Sequence, residues 1–444
     1  MSDAQRLIKV DAERLGHIPA FDGLRGLFIL IVVGYHAHLN DRLLGSPIVI
    51  DWFFVSSGFL ITSLLLDERN STGGISLRNF YARRVLRLFP AMYAMLGVVT
   101  LMLLALRIAD PGAFDPKALP WLEIVAAATY VYYLFGAFVP GRIGIIGHTW
   151  SLTLEEHFYF IWPLILNRTL KRGTRRSDRN LIAGCVVFIA VMVFLRMRLN
   201  HMIIFTPQQP GEFIDGCVRR GTEAITCPNS VTWQGVLYRI AAVRPDMIVL
   251  GCLTAFVARA IPRPFPERWL RPLALMATVC WVLFFAVMIF AGRLPGFEMF
   301  GGPVYQLALF GIAVTTLHVY FRPQSRFVRT VTVKPLRYFG VRTYGIYLWH
   351  VPVVLPFLAV LERSYGIQRY VLGLFVTVLG ILAGMASFRF IEQPFLRMKE
   401  SKFRKPEEKT ADHAAALAQH QLPALQQYDG TEALPDVDTE DQDS

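Results

Sequence analysis

A histidine lies inside an apolar stretch near the start of this 444-residue sequence. Residues 21–39 read FDGLRGLFILIVVGYHAHL, which is long and apolar enough for a membrane-spanning helix, and they contain His36. An ionisable side chain inside such a helix is costly, so it usually marks a functional site. Imidazole takes up a proton near neutral pH, so His36 is predicted to act as a general base; a purely structural histidine is the alternative.

Two adjacent carboxylates, Glu155 and Glu156, lie inside another apolar stretch, residues 149–166. Successive side chains on a helix point about 100° apart, so we expect only one of them to face the bundle interior, together with Trp150 or Tyr159. A buried carboxylate needs a partner. We therefore predict that one carboxylate supports the catalytic histidine or pairs with an arginine, and the sequence leaves both candidates open.

Three arginines stand close together in the stretch FYARRVLRLFPAMY. Arg84 and Arg87 are three residues apart and share a helix face, and Arg83 adds a neighbouring charge. The planar guanidinium group suits phosphate oxygens. The arginines are predicted to bind a phosphorylated donor, although anchoring at the membrane surface explains the number of charges more simply.

Polar residues also interrupt two later apolar stretches. Arg244 and Asp246 come at the start of one helix, where they could pair with each other or Asp246 could contact a polar acceptor. His350 lies in the middle of YGIYLWHVP, followed by Pro352, which frees a backbone carbonyl and bends the helix. We expect these residues to bind the acceptor or to support the site.

The elements that position these side chains are predicted to be membrane helices. Hydrophobic residues make up 54% of the chain and charged residues 18%, and the mean hydropathy is +0.42. The net charge of +12 comes from short basic segments between apolar runs, which is typical of membrane topology and not of nucleic-acid binding. Eleven apolar runs occur, at residues 21–39, 48–66, 90–106, 121–139, 149–166, 181–199, 240–261, 270–291, 304–321, 339–361 and 370–391.

The basic segments orient these runs. Segments with an excess of arginine and lysine are expected in the cytoplasm, here residues 78–87, 171–179, 322–337 and 397–405. Because three runs separate the first two segments, one of these runs cannot cross, and 121–139, with Glu123 between flanking prolines, is the best candidate. We therefore predict an all-α polytopic bundle of about ten transmembrane helices plus one re-entrant or interfacial segment, with both termini cytoplasmic.

This topology divides the chain into three parts. Residues 1–20 form a cytoplasmic segment, residues 21–396 the transmembrane domain, and residues 397–444 a cytoplasmic tail that is too polar to fold alone and is mostly disordered. Cys217 and Cys227 share a polar segment outside the cytoplasm, where a disulfide between them is possible and two free thiols are the alternative.

Taken together, these stretches resemble the acyltransferase 3 family of integral membrane acyltransferases. The matching stretches span residues 21–394 in the order of the family, namely FDGLRG with the later His36, DWFFVSSGFLI, FYARRVLRLFP, TWSLTLEEHFYFIWP, RPDMIVLG, YGIYLWH and FIEQP. One departure is Gly345, where the family commonly has serine. We expect this glycine to loosen the packing around His350.

The resemblance implies a membrane O-acyltransferase of the bacterial inner membrane. Its co-substrate would be acyl-CoA, usually acetyl-CoA, bound from the cytoplasm, and its acceptor a hydroxyl of an envelope polysaccharide, glycolipid or secreted glycan. The roles implied for this chain are catalysis by His36, donor binding by Arg84 and Arg87 with Arg25 as a further functional arginine, and the family's acidic position at Glu155 or Glu156.

Other functions fit the sequence less well. A transporter or flippase could use the same buried charges, but no internal repeat is visible. The sequence contains no glycine-rich phosphate loop and no zinc-spaced set of cysteines and histidines, so neither a metal nor a permanently bound cofactor is expected.

Overall fold

The computed structural model describes most of the chain apart from several loops and both ends. The described residues are 6–10, 15–39, 46–110, 120–138, 146–199, 213–214, 217–220, 223–224, 233–262, 265–291, 293–295, 297 and 302–403. Cys227 is not among them, so the predicted disulfide with Cys217 lies outside the described residues.

The described chain is almost entirely helical. Its α-helices are α1 Pro19–His36, α2 Val49–Thr72, α3 Leu77–Ala109, α4 Pro120–Ala128, α5 Tyr132–Phe138, α6 Thr149–Arg172, α7 Arg175–Leu199, α8 Trp233–Ala242, α9 Pro245–Ala260, α10 Glu267–Phe290, α11 Pro303–Phe321, α12 Arg326–Val331, α13 Lys334–Val341, α14 Thr343–Val354, α15 Leu358–Arg363, α16 Gly366–Ser387 and α17 Gln393–Phe403. Short 3₁₀ turns occur at Ser46–Ile48 and Leu355–Phe357, and a π-helical turn, Phe388–Glu392, joins α16 to α17.

Three short strands, which the sequence did not predict, follow α7. They are β1 Phe213–Ile214, β2 Cys217–Arg220 and β3 Glu223–Ala224, and β2 pairs antiparallel with both neighbours. Ile214 stands opposite Cys217, and Arg220 stands opposite Glu223.

Six helices are long and apolar enough to cross a membrane, by length and composition. They cover Val49–Thr72, Leu77–Ala109, Arg175–Arg198, Glu267–Phe290, Pro303–Phe321 and Gly366–Met398. These helices confirm a helical, multi-pass membrane protein, and the other four predicted crossings stay a prediction. Since α17 runs to Phe403, the first residues of the predicted tail are helical, and the rest of the tail lies outside the described residues.

Three of the predicted runs are broken into shorter helices. Run 339–361 is divided among the end of α13, α14, a 3₁₀ turn and α15. Run 121–139 forms α4 and α5, of 9 and 7 residues, separated by a turn in which Tyr130 has a φ of 56°. Neither helix is long enough to cross alone, which agrees with the re-entrant or interfacial segment expected here. Run 240–261 breaks at Arg244, whose φ is 57°, and Pro245 starts the second piece as the first residue of α9.

Glycines allow the central helices to touch backbone to backbone. Helix α1 packs against α13, and a Cβ atom at Gly26 would overlap the carbonyl oxygen of Leu336. In the same way, a Cβ atom at Gly345 in α14 would meet the Oε1 atom of Glu392 at 2.5 Å and the carbonyl oxygen of Gly384 at 2.6 Å. The prediction that Gly345 loosens this packing is therefore wrong, because the position is too tight for any side chain.

Contacts between helix termini define two ends of the bundle. At one end, Arg259 from the last turn of α9 bonds to Asp67 of α2 at 2.8 Å and to the carbonyl oxygen of Lys9. Arg6 pairs there with Asp178 in the first turn of α7 at 2.6 Å. We call this the basic end; α1 begins near it, since the Leu15 amide also donates to Asp67.

The opposite end holds the C-terminus of α1 and is called the histidine end. Here Arg196 in the last turn of α7 bonds to Asp246 in the first turn of α9, and Asp51 in the first turn of α2 bonds to Arg244. Helix ends thus alternate between the two ends of the bundle along α1, α2, α7 and α9.

Candidate active site

Three histidines from distant parts of the chain meet at the histidine end. His36 is the last residue of α1, His148 precedes the first residue of α6, and His350 lies in α14. The ring centroids of His36 and His350 are 4.9 Å apart, and those of His148 and His350 are 5.2 Å apart. His148 and His350 are buried.

Backbone carbonyls fix the tautomer of each ring. The Nδ1 atom of His36 lies 2.9 Å from the Val32 oxygen, and the Nδ1 atom of His350 lies 2.6 Å from the Tyr347 oxygen. The Nε2 atom of His148 lies 3.1 Å from the Leu348 oxygen. A carbonyl oxygen only accepts, so these nitrogens must carry hydrogen, and the other nitrogen of each neutral ring carries a lone pair.

Those lone pairs are available for chemistry. Nδ1 of His148 and Nε2 of His350 are buried and have no hydrogen-bond partner among the described residues. Nε2 of His36 is the remaining nitrogen of a ring that is not fully buried. We call His36, His148 and His350 the histidine cluster. Its lone pairs can accept a proton, and His36 is the least buried of the three rings.

Glu155 faces the bundle interior on a different turn of α6. It accepts hydrogen bonds from Ser57 at 3.0 Å and from Tyr159 at 3.2 Å, and the Tyr159 hydroxyl also lies 3.1 Å from Ser57. The predicted support of His36 by a carboxylate is not what the structure shows, because these hydrogen bonds join Glu155 to α2 and to its own helix. Both carboxylates interact electrostatically with Arg84, and an arginine was the other predicted partner.

Two arginines, Arg25 and Arg84, interact electrostatically with Glu155. The Arg84 guanidinium lies 4.5 Å from the centroid of the Tyr159 ring, a cation–π distance. Arg25 interacts electrostatically with both Arg87 and Glu155. We call Arg25, Arg84 and Arg87 the arginine cluster.

Arg83 does not belong to the arginine cluster. It forms an ion pair with Glu68 at 3.2 Å, so the prediction that it binds the donor is not supported. The arginine cluster leaves a local excess of positive charge next to Glu155 and Glu156, which suits an anionic ligand.

Helix α1 connects the arginine cluster with the histidines, since it carries both Arg25 and His36. Arg25 and His36 are eleven residues apart, which is three helical turns, so they share a face of α1 and lie about 16 Å apart along it. Between them, the Tyr347 hydroxyl donates to the His148 carbonyl oxygen at 2.7 Å and lies 2.6 Å from the Ser151 hydroxyl. A ligand held by the arginines must be extended to reach His36.

Buried ion pairs support the histidine end. Arg244 bonds to Asp51 at 2.6 Å, and its guanidinium lies 5.9 Å from the Trp150 ring. Arg196 donates two hydrogen bonds to the Asp246 carboxylate, of 2.6 and 2.8 Å. The proposed mutual pair of Arg244 and Asp246 is therefore wrong, since each residue pairs with another helix.

Comparison with known proteins assigns the chain to a family. A family model described as an acyltransferase domain matches residues 18–386. The chain belongs to this acyltransferase family. It is similar to the peptidoglycan O-acetyltransferase OatA of Listeria monocytogenes, with 30% identity over 394 residues, 85% of this chain and 56% of the relative. It is also similar to the O-acetyltransferase OatA of Staphylococcus aureus strain MRSA252, with 29% identity over 419 residues, 90% of this chain and 62% of the relative.

The acyltransferase family match covers both clusters and the ion pairs. The chain spans somewhat more than half the length of these two relatives. No solved structure matches the chain. Among the residues that the structure describes, no group of three or more histidine, cysteine, aspartate or glutamate side chains is arranged to hold a metal ion.

Sequence reasoning missed three residues of this acyltransferase domain. His148 directly precedes the stretch 149–166 that holds the two carboxylates, and Asp51 begins the DWFF stretch, so both were visible as polar residues beside apolar runs. Arg196 lies near the end of an apolar run, where it resembles an ordinary membrane anchor. Only its contact with Asp246 reveals the difference.

Proposed function

We propose that this chain is a membrane O-acyltransferase that moves an acetyl group from acetyl-CoA to a hydroxyl of a cell-envelope glycan. Peptidoglycan is the first candidate acceptor, because the similar Listeria protein is named a peptidoglycan O-acetyltransferase. The observation that carries the proposal is the shared face of α1, with Arg25 near one end and the free Nε2 of His36 at the other.

The arginine cluster would hold the phosphates of the donor. Guanidinium groups bind phosphate oxygens through paired hydrogen bonds, and Tyr159 keeps the Arg84 group in place through its ring. Glu155 balances part of the positive charge and orients Ser57 and Tyr159. The thioester then extends along α1 towards the histidines.

His36 would carry out the proton transfer. Nε2 removes the proton of the acceptor hydroxyl, the oxygen attacks the thioester carbonyl carbon, and the carbon–sulfur bond breaks. The thiolate of CoA leaves and takes the proton back from the imidazolium. In a second route, Nε2 attacks the thioester carbonyl carbon, the carbon–sulfur bond breaks and the CoA thiolate leaves. The acceptor oxygen then attacks the acetyl-imidazolium, the carbon–nitrogen bond breaks, and the hydroxyl proton passes to the thiolate.

The donor would enter from the cytoplasm at the basic end. We propose ten membrane crossings, both termini in the cytoplasm and a location in the bacterial inner membrane. Two observations support this orientation: basic segments favour the cytoplasmic side, and the contacts of Arg6 and Arg259 gather at one end of the bundle.

Labelling with a membrane-impermeant maleimide tests this orientation in cells in which all five cysteines of the chain are serine. The exposed positions Lys171 and Arg293 are suitable sites for a single cysteine. We expect Arg293→Cys to react in intact cells and Lys171→Cys to react only after the membrane is opened. Reaction of Lys171→Cys in intact cells would refute the ten-crossing arrangement.

A transfer assay tests the activity. The protein is reconstituted in lipid vesicles with acetyl-labelled acetyl-CoA and peptidoglycan fragments, and we expect acetylated glycan and free thiol in equal amounts. His36→Ala should abolish both products, whereas His38→Ala, whose ring contacts Arg369, serves as the matched control. Label that crosses the membrane without release of thiol would favour a transporter instead.

A further inference from the structure

A groove with one polar end opens between α10, α11, α12 and the face of α1 that carries Leu27. Its volume is about 580 Å³. Trp281 and Phe285 of α10, Phe327 of α12 and Leu27 of α1 provide apolar walls. The Trp281 and Phe327 rings lie 5.2 Å apart and close one side.

The polar end of the groove carries positive charge. Arg322 follows the last residue of α11, and Arg326 is the first residue of α12; both line the groove. His318 is buried there, with Nε2 3.2 Å from the Ser325 hydroxyl. Its Nδ1 atom has no hydrogen-bond partner among the described residues.

The polar end lies where the membrane surface must be. Both α10 and α11 are long and apolar enough to cross a membrane, and Arg322 donates to the carbonyl oxygen of Leu270 in the first turn of α10, at 3.3 Å. Trp281 is fourteen residues into α10, so the apolar walls reach about 20 Å along the helix. The groove is thus basic at one membrane surface and apolar towards the membrane centre.

This groove is separate from the candidate active site. Leu27 is two residues from Arg25 and nine from His36, which puts it about 200° and 180° around α1 from them. Leu27 therefore lies on the opposite face of α1 from Arg25 and His36, so this helix separates the groove from both residues. A molecule in the groove would contact the back of the helix that carries both.

We propose that this groove binds an anionic phospholipid. Basic pockets between transmembrane helices bind acidic lipid head groups. The phosphate lies against Arg322 and Arg326, and the acyl chains lie along Trp281 and Phe285. The lipid fills the space behind α1 and holds this helix in place, a role that does not depend on the proposed acyl transfer.

Lipid binding to the full-length purified protein tests the proposal. Native mass spectrometry in mild detergent measures the affinity for phosphatidylglycerol and for phosphatidylcholine of the same chain length. We expect phosphatidylglycerol to bind more tightly, and Arg322→Gln with Arg326→Gln to weaken it by about tenfold or more. Arg329→Gln is the matched control, since Arg329 is an exposed arginine of α12 that does not line the groove.

A second variant, Ser325→Asp, separates a loss of lipid binding from a loss of folding. The Ser325 hydroxyl caps α12 by accepting from the Val328 amide, and aspartate caps a helix equally well. Ser325→Asp therefore keeps the helix but adds a negative charge, and it should weaken phosphatidylglycerol binding without lowering the melting temperature in detergent. Equal affinity for the two lipids, no effect of any groove variant, or displacement of phosphatidylglycerol by CoA would each overturn the proposal.

Discussion

The imidazole rings of His36 and His350 pack edge to face, with their centroids 4.9 Å apart and their planes inclined by 66°. Each ring donates its Nδ1 hydrogen to a carbonyl oxygen of its own helix, so each neutral ring keeps a lone pair on Nε2. His148 adds a third ring next to His350. The histidines therefore bring several proton-accepting nitrogens together at the histidine end, and His36 is the least buried of the three rings.

Replacing His148 tests whether this residue serves the reaction or only the fold. His148→Gln keeps a donor for the Leu348 carbonyl but loses the lone pair on Nδ1. We expect the turnover rate to fall by about 100-fold, at the low end of general acid–base effects, with an unchanged KM for acetyl-CoA. Steady-state kinetics in vesicles would measure both values.

The matched control is His157→Gln, because His157 lies on the same helix and bonds to Tyr133 outside the cluster. Its turnover rate should stay close to that of the wild type. If His148→Gln retains the wild-type rate, His148 serves only the fold.

Replacing Arg84 tests the donor site. Arg84→Lys keeps the charge but loses the planar group that lies over the Tyr159 ring and can hold phosphate with two hydrogen bonds. Because a hydrogen bond to a charged group contributes about 1.5–3 kcal/mol, we expect the KM for acetyl-CoA to rise by about 10- to 100-fold. Arg83→Lys, at the arginine that pairs with Glu68, should leave this KM unchanged. Equal effects of the two variants would contradict the assignment of the donor site.

The sequence predicted the helices, the arginine cluster and two of the three clustered histidines better than it predicted the partners of these residues. Apolar runs show where helices form, and a costly residue such as His36 or Arg25 stands out within them. Partners depend on which helices touch, and apolar helices in a membrane carry little sequence signal for that choice. Glu155 illustrates this limit, because it accepts a hydrogen bond from Ser57 of α2, whereas the sequence offered only a histidine or an arginine as its partner.

The wrong pairing of Arg244 with Asp246 has a local reason. Residues two apart on a helix do not face each other, and Arg244 stands outside the helix with a φ of 57°. Both side chains therefore reach neighbouring helices, Asp246 to Arg196 and Arg244 to Asp51. The break in the run 240–261 follows from the same Arg–Pro step, which an average of hydropathy does not detect.

Removing one partner of the Arg196–Asp246 pair should strongly destabilise the protein. Both side chains are buried, so Asp246→Ala leaves an unpaired buried charge, which costs about 3–5 kcal/mol. We expect a large fall in the melting temperature in detergent, and the double variant Arg196→Met with Asp246→Leu should recover much of it. Glu68→Ala, which breaks the partly exposed pair with Arg83, should cost about 1 kcal/mol or less. A small effect of Asp246→Ala would show that water or another group already screens Arg196.

Gly26 links the packing of α1 to the position of Arg25. A single methyl group at this position would overlap the carbonyl oxygen of Leu336, so Gly26→Ala must push α1 away from α13. Overpacking of this kind costs about 1–3 kcal/mol, and the shift also moves Arg25, the neighbouring residue. We therefore expect a lower melting temperature together with a higher KM for acetyl-CoA.

Gly97→Ala is the matched control for Gly26→Ala. Gly97 lies in α3, and a Cβ atom there would meet no atom within 4 Å, so alanine should leave the KM unchanged and slightly stabilise the helix. Measuring KM and melting temperature for both variants separates helix propensity from close packing. If Gly26→Ala lowered the melting temperature but left the KM for acetyl-CoA unchanged, Arg25 would not contribute to donor binding, and the arginine cluster would be reduced to Arg84 and Arg87.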